Sequence, residues 1–279
     1  MPELPEVETV RTGLARHLPG RRLVGATFRR QDLRWPIPTQ RIEALVGARC
    51  IDVSRRSKYL LIAFDDAPST QVIVHLGMSG RLFVDVVGAG ANAERPPWRL
   101  HEHVRLDFGT RLLRLVDPRR FGCVDVTHAG DAHVLLRDLG PEPLSNAFDA
   151  AYLHAATRGL RCAIRTFLMD ARRVVGVGNI YASEACFEAA VRPRRAAGSL
   201  TRRECAAIVD AVQAVLRRAI DAGGTTLRDY VGVDEGAGSF QRELAVYGRE
   251  GHPCRRCHGV VRRVVAGARS AYYCPRCQR

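Results

Sequence analysis

Four of the nine cysteines stand in two C-x2-C pairs, Cys254 with Cys257 and Cys274 with Cys277, and sixteen residues separate the pairs. Each pair makes a knuckle that brings two sulfurs to one ion, and the intervening stretch supplies a hairpin. This is the spacing of a tetrahedral thiolate zinc site. A redox pair or disulfides would use the same residues, but two matched pairs in a chain of reducing-compartment type favour metal. His252 and His258 could each replace a ligand, yet four thiolates already complete the shell, so one structural Zn2+ is expected. The second chemical signal is Lys58, the one lysine among 43 basic residues. Either chance left it there, or position 58 needs a compact ammonium whose proton can move, which a planar and permanently charged guanidinium does not offer. The third is the opening, MPELPEVETVR. Pro5, Glu6 and Glu8 obey helix grammar, with proline in the first turn and acids at the positive end of the dipole. Pro2 and Glu3 precede the apolar stripe of Val7, Val10, Leu14 and Leu18 and lie where chain ends normally fray, so helix grammar does not account for them.

Elements of two kinds must position these residues. The chain has 279 residues, 46% of them hydrophobic, enough for two ordinary domains. The first half is rich in β-branched and aliphatic segments, such as RCIDVSRRSKYLLIAF and TQVIVHLGMSGRLFVDVV, punctuated by DDAP and GAGANAERPP. It reads as short strands joined by turns behind one leading helix. A Pro-containing polar link at 139–149 follows, and helical periodicity then takes over. TRRECAAIVDAVQAVLRRAIDAGG is the clearest case: Thr201 and Glu204 make a capping box, Ile208, Val212, Val215 and Ala219 trace a stripe, and Gly223 ends the helix. In VVGVGNIYASEA, Gly176 and Gly178 with Asn179 suit tight turns that open a helix. Such a turn can aim amides at a phosphate, and a plain interhelical turn fits as well. The glycine-rich stretch 223–244 reads as a long mobile loop.

The net charge of +14 points to a polyanionic partner. Nucleic acid is favoured over membrane, because no apolar run approaches the roughly 18 to 20 residues of a spanning helix. No secretory-type leader opens the chain, so a cytoplasmic location is expected. Residues 241–279 carry nine arginines against Glu243 and Glu250, so the zinc module is expected to present arginine to phosphates.

Taken in order, PELPEVETVR, SKYLL, HLGMSGRL, DPRRFG, LGPEPL, VGVGNIYASEA, GGTTLRDY and the four-cysteine tail resemble the bacterial formamidopyrimidine-DNA glycosylase (Fpg/Nei) family along nearly the whole chain. The PELPE opening is similar to that branch rather than to endonuclease VIII. The resemblance implies an α+β multidomain fold: an N-terminal β-sandwich with a leading helix (1–138), a helical helix-two-turn-helix domain (139–240) and a C-terminal zinc finger (241–279). It implies a monomeric, bacterial, nucleoid-associated repair enzyme whose partner is double-stranded DNA containing oxidised bases, held in a cleft between domains. The implied reaction is removal of oxidised purines, such as 8-oxoguanine and formamidopyrimidines, followed by strand cleavage through β,δ-elimination.

The same resemblance assigns roles. Pro2, freed of Met1, is the amine nucleophile that forms a Schiff base. Glu3 is the general acid at the sugar ring oxygen, and Glu6 supports the first turn. Lys58 transfers a proton in β-elimination, and Arg269 contacts the backbone and assists δ-elimination. Met78, Arg119 and Phe121 fill the hole left by the extruded nucleotide, with Arg119 reading the opposite cytosine. His101, Asn179 and Arg165 meet the DNA backbone. Two departures stand out. Family members often carry lysine at the position of Arg165, and glycine at that of His258. The competing readings are an endonuclease VIII-like preference for oxidised pyrimidines and a non-catalytic zinc-dependent DNA-binding protein.

Overall fold

Helix α1 (Leu4–His17) begins the molecule, with Pro5 in its first turn and Arg16 and His17 in its last, where each suits the helix dipole. The computed structural model describes residues 2–67, 69–88, 94–225, 238–266 and 269–279. The chain forms two units, Met1–Arg137 with Gly223–Gly238, and Asp138–Ala222 with Ser239–Arg279.

In the first unit β1 (Gly25–Phe28) is followed by a short helix α2 (Thr39–Glu43) that the sequence reading did not include, and then by seven strands. These are β2 (Cys50–Arg56), β3 (Tyr59–Phe64), β4 (Thr70–His75), β5 (Arg81–Val86), β6 (Glu102–Asp107), β7 (Arg111–Val116) and β8 (Cys123–His128). They build two antiparallel four-stranded sheets, in the orders β1-β6-β7-β5 and β2-β3-β4-β8. Alternation along the strands sends Leu60, Ile62 and Phe64 of one sheet and Val104, Leu106, Leu113 and Leu115 of the other into a single core. Val7, Val10 and Leu14 of α1 join that core.

The β1-β6-β7-β5 sheet also encloses charge. The Glu102 carboxylate, 1% exposed, accepts from Arg114 Nε at 3.0 Å, from Arg105, and from the Arg99 amide at 2.6 Å. Arg114 also donates to the Pro97 carbonyl at 2.6 Å, and Arg105 lies 3.9 Å from the centre of the Trp98 ring. The segment from Pro97 to Arg99 is thus fastened to the sheet through two arginines and Glu102. Burial alone would raise the Glu102 carboxyl, but the hydrogen bonds from Arg114 and Arg105 outweigh it and hold the group below its ordinary value.

The second unit contains α3 (Ala150–Thr157), α4 (Ile164–Leu168), α5 (Asn179–Glu188), α6 (Arg202–Asp221) and the hairpin β9 (Arg262–Ala266) with β10 (Arg269–Tyr273). The capping box of α6 is present: Thr201 Oγ1 accepts from the Glu204 amide at 3.2 Å, and the Glu204 carboxylate accepts from the Thr201 amide at 2.9 Å. Ile208, Val212, Val215 and Ala219 are buried as the stripe requires. The 139–149 stretch is docked rather than loose. Gly140 donates to the Ala171 carbonyl at 2.8 Å and Val175 to the Pro141 carbonyl at 3.1 Å. A Cβ at Gly140 would lie 2.8 Å from the backbone of Arg172 and Arg173, so glycine permits the approach. Most of the glycine-rich stretch read as a mobile loop (226–237) and part of the GAGANAERPP turn (89–93) lie outside the described residues.

Replacing Glu102 by Gln should destabilise the protein by about 3 kcal/mol, because Arg105 loses its carboxylate partner and Arg114 keeps only Asp85. Urea unfolding at pH 7 measures this. The folded-state value of Glu102 is depressed, so its stabilisation is present above its ordinary value of 4.5 and is lost as pH falls through the folded value. The difference between wild type and Glu102→Gln should therefore shrink on acidification below that point.

Candidate active site

The start of α1 is fixed at both ends of one carboxylate. Pro2, Glu3 and Glu6 are all buried. Glu6 Oε2 accepts from the Glu3 amide at 2.8 Å, and Glu6 Oε1 accepts from the Thr225 amide at 2.7 Å. Gly224, at φ +84°, lies so close that a Cβ there would stand 3.0 Å from Glu6 Oε1. The first turn is thereby tied to the segment at 224–225, and Pro2 directly precedes the residue so held.

Lys58 sits on the two-residue turn between β2 and β3, where Arg56 pairs with Tyr59. Ser57 takes φ +57°, the left-handed conformation such a turn needs at its first central position. Arg55 donates to Glu8 of α1 at 2.8 Å and to the Ser57 carbonyl at 2.9 Å, so the helix that begins with Glu3 and the turn that carries Lys58 share one guanidinium. His75 lies beside them, its ring centre 4.9 Å from that of Tyr59. Burial, and then the charges of Lys58 and Arg34, push the His75 imidazole down to about 4. It is neutral at pH 7, and its Nδ1 accepts from the Gly77 amide at 3.0 Å, which places the ring proton on Nε2.

That hydrogen bond leads into the turn bearing Met78. Gly77, at φ +59°, packs against the backbone of Phe121 and Gly122 so tightly that a Cβ would come within 2.3 Å of the Phe121 carbonyl carbon. Met78 and Phe121 are 38% and 45% exposed, large apolar groups on two loops whose backbones meet at Gly77. The Arg119 guanidinium lies 4.8 Å from the Phe121 ring centre. His101, at φ +60°, is exposed, and its carbonyl accepts from the Asp117 amide at 2.9 Å. The first unit therefore gathers Pro2, Glu3, Glu6, Lys58, Met78, His101, Arg119 and Phe121.

The second unit gathers the remaining candidates. Asn179 opens α5 after Gly178, whose φ of −119° is extended, while Gly176 alone of the two glycines takes a positive φ. The Asn179 carboxamide accepts from Arg165 and donates to the Ser270 carbonyl at 3.1 Å. Arg165, expected at a DNA phosphate, is 1% exposed, and its guanidinium also donates to the Arg269 carbonyl at 3.4 Å. Its groups face the protein, whereas the Arg269 side chain is exposed. Glu184, further along α5, accepts from three consecutive amides, those of Ala245, Val246 and Tyr247, at 2.8–3.0 Å. This buried carboxylate anchors the approach to the cysteine tail.

The Sγ atoms of Cys254, Cys257, Cys274 and Cys277 all lie within 4.8 Å of one another. Cys257 with Cys274 and Cys254 with Cys277 are 3.5 and 3.8 Å apart, far beyond the roughly 2.05 Å of a disulfide. A tetrahedron of thiolates about one ion needs this arrangement. The knuckle keeps its turn despite His258, which adopts φ +58°, and its amide donates to the Cys254 carbonyl at 2.9 Å. The Gly259 amide first, and then the other cysteines, pull the Cys257 thiol down to about 7.

Three family profiles match the chain in order. They are the formamidopyrimidine-DNA glycosylase N-terminal domain over residues 1–124, the formamidopyrimidine-DNA glycosylase H2TH domain over 139–231, and the zinc finger found in FPG and IleRS over 251–279. The chain belongs to the formamidopyrimidine-DNA glycosylase family. Among members of that family, the formamidopyrimidine-DNA glycosylases of Aromatoleum aromaticum and Stenotrophomonas maltophilia are 52% and 50% identical to it, over 100% of each chain. The Lactococcus lactis Fpg solved with DNA containing N7-benzyl-Fapy-dG superposes with a TM-score of 0.88 at 28% identity, covering 100% of both chains. The same enzyme with abasic-site DNA gives 0.87 at 28% identity over 99% of each. The α+β multidomain fold is that of the formamidopyrimidine-DNA glycosylase family, and Cys254, Cys257, Cys274 and Cys277 are the cysteines of its zinc finger. Among the described residues, no helix is long and apolar enough to cross a membrane.

The sequence reading passed over Asp117, Ser79, His75, Arg55 and Glu184. Asp117 and Ser79 stood inside quoted motifs, Asp117 as the first residue of DPRRFG and Ser79 within HLGMSGRL, and the glycines flanking the Met78–Ser79 pair were the signal of a close backbone approach. Removing zinc with a chelator, or changing Cys254 to Ser, should unfold the β9–β10 hairpin and leave the melting of the β-sandwich in place. The hairpin is too small for a core of its own, and the metal supplies its folding energy. Differential scanning calorimetry, with zinc release followed by a colorimetric chelator, checks this; a hairpin that keeps its amide protection without metal contradicts it.

Proposed function

We propose that the chain is a bifunctional DNA glycosylase and AP lyase of base-excision repair, acting on duplex DNA that contains oxidised purines. The observation that carries this reading is the clamped start of α1, with Pro2 and Glu3 buried and held by Glu6 in a chain that matches the glycosylase family end to end. The damaged and abasic DNA in the Lactococcus lactis complexes supports the substrate class. The divisions at 138/139 and 240/241 separate its catalytic, helical DNA-binding and zinc-finger parts.

With Met1 removed, Pro2 presents a secondary amine. An α-amine with a pKa near 8 is about ten per cent free base at pH 7, whereas a lysine near 10.4 is free at about one part in 2,500. Pro2 is therefore the better prepared nucleophile. Its nitrogen attacks C1′ of the lesion nucleotide and the base departs. Glu3 donates a proton to the sugar ring oxygen, and the ring opens to an iminium that cannot lose its charge by deprotonation. The iminium draws the electrons of a C2′–H bond, and the 3′-phosphate leaves; Lys58, on its turn beside neutral His75, moves the proton in this step. A second elimination expels the 5′-phosphate, aided by Arg269. Water then releases the amine from the remaining unsaturated sugar fragment.

Flipping the nucleotide costs a few kcal/mol, and Met78, Arg119 and Phe121 offset that cost by filling the space it leaves. Arg119 contacts the opposite cytosine. His101, Asn179 and Arg269 meet backbone phosphates, and Arg165 acts there through its hold on Asn179. The basic surface supplies sequence-independent affinity that weakens with salt.

Borohydride reduction of the complex with 8-oxoguanine DNA should yield a covalent adduct on the N-terminal peptide, located by mass spectrometry. An adduct on the Lys58 peptide with an unmodified N-terminus would overturn the assignment, and absence of any adduct would favour a pure DNA-binding protein. Lys58→Ala should lose excision of the intact lesion by about 10²-fold or more and still cleave pre-formed abasic sites to a reduced degree, as expected when a proton-transfer group is removed and the nucleophile is kept. Faster release of thymine glycol than of 8-oxoguanine would instead mark a pyrimidine-directed enzyme.

A further inference from the structure

Asp117 follows strand β7 and is fully buried, with 0% of its surface exposed. Its carboxylate is divided between two loops. Oδ1 accepts from the Ser79 hydroxyl at 2.6 Å, and Oδ2 accepts from the Gly122 amide at 2.8 Å. Ser79 Oγ in turn accepts from the Arg119 amide at 3.2 Å. The neighbour of Met78 and the backbone of Arg119 therefore share one hydroxyl, which is itself oriented by Asp117. Gly122 packs against the same carboxylate, since a Cβ there would lie 3.0 Å from Asp117 Oδ2 and 2.7 Å from the His75 carbonyl. The Asp117 amide holds the His101 carbonyl at 2.9 Å, and His103 Nε2 is 2.9 Å from the Asp117 carbonyl oxygen.

An ionised carboxylate only accepts hydrogen bonds, and here both of its oxygens are engaged by donors from separate loops. Removing it would orphan a buried hydroxyl and a buried amide and release the loops from each other. Three side chains on two loops must enter the duplex together, and a displacement of about 1 Å in such a constellation is enough to cost on the order of 10²-fold in rate. We propose that Asp117 is a positioning residue that sets Met78, Arg119 and Phe121 in one register, and that the preference for the base opposite the lesion depends on it. This rests on the assignment of those three residues to the vacated space in the duplex.

A carboxylate that only stabilised the fold would lower the active fraction and slow every substrate alike. A positioning carboxylate changes a ratio. The test is single-turnover release of 8-oxoguanine placed opposite cytosine and opposite adenine, with rates normalised to the active fraction trapped by borohydride on abasic DNA. Asp117→Ala should slow release opposite cytosine by about tenfold or more and bring the cytosine-to-adenine ratio towards one, as Arg119→Ala should. Asp117→Asn, which keeps an oxygen for Gly122 and offers a donor to Ser79 Oγ, should retain most of the ratio, and Ser79→Ala should fall between them. If Asp117→Ala does not fold, Ser79→Ala decides by the same ratio. Loss of the ratio in Arg119→Ala with full retention in Asp117→Ala and Ser79→Ala overturns the positioning role alone. Retention in Arg119→Ala itself overturns the assignment of the void, and the inference with it.

Discussion

The carboxylate of Glu6 spans two amides, that of Glu3 three residues before it and that of Thr225, 219 residues along the chain. A chain terminus has the fewest neighbours of any segment and loses the most entropy when it is fixed. The reaction proposed to run from the second residue therefore needs a restraint that packing alone does not supply at an end. Two hydrogen bonds to one buried acid provide it, and they also couple the start of α1 to Gly224, whose missing Cβ allows the contact. Arg55 extends the restraint from Glu8 to the Ser57–Lys58 turn, and His75 carries it from there to Gly77. The site is in this sense a sequence of short polar contacts that begins at one glutamate.

The acids of this arginine-rich chain are used in the same manner elsewhere. Glu102, Asp117 and Glu184 are nearly free of solvent contact, and each is surrounded by donors: guanidinium groups and an amide, a hydroxyl and an amide, and three amides. Withdrawing negative charge into the interior serves two ends at once. It fastens loops whose backbone would otherwise need water, and it leaves a chain of net charge +14 with a more basic surface than its composition alone implies.

Much of this was legible along the chain wherever the cause is local. The box of Thr201 and Glu204, the buried stripe of α6, and the paired cysteines depend on spacings of a few residues, and the sequence shows those directly. The partition of strands between two sheets, the docking of 139–149 on the 171–175 segment, and the burial of Arg165 depend on partners far away in sequence. No local pattern distinguishes an arginine bound for phosphate from one bound for Asn179. The left-handed conformations of Ser57, His101, Arg120 and His258 were equally hidden, because tertiary contacts override a preference that would favour glycine. For the candidate site, the motifs supplied the residues that would meet DNA, while the residues that hold them in place, Asp117 and Arg55 above all, emerged only once the loops were seen together.

The turn between β2 and β3 carries the only lysine in these 279 residues. Reagents that acylate amines near neutral pH, from laboratory biotin esters to the acyl donors of metabolism, find no lysine decoys on a surface whose cations are guanidinium groups. Any such modification falls on the chain's own amino terminus or on Lys58. Immobilising or tagging the protein through its amines would thus consume the groups that the proposed chemistry requires, and a tail added at the carboxyl terminus is the neutral point of attachment.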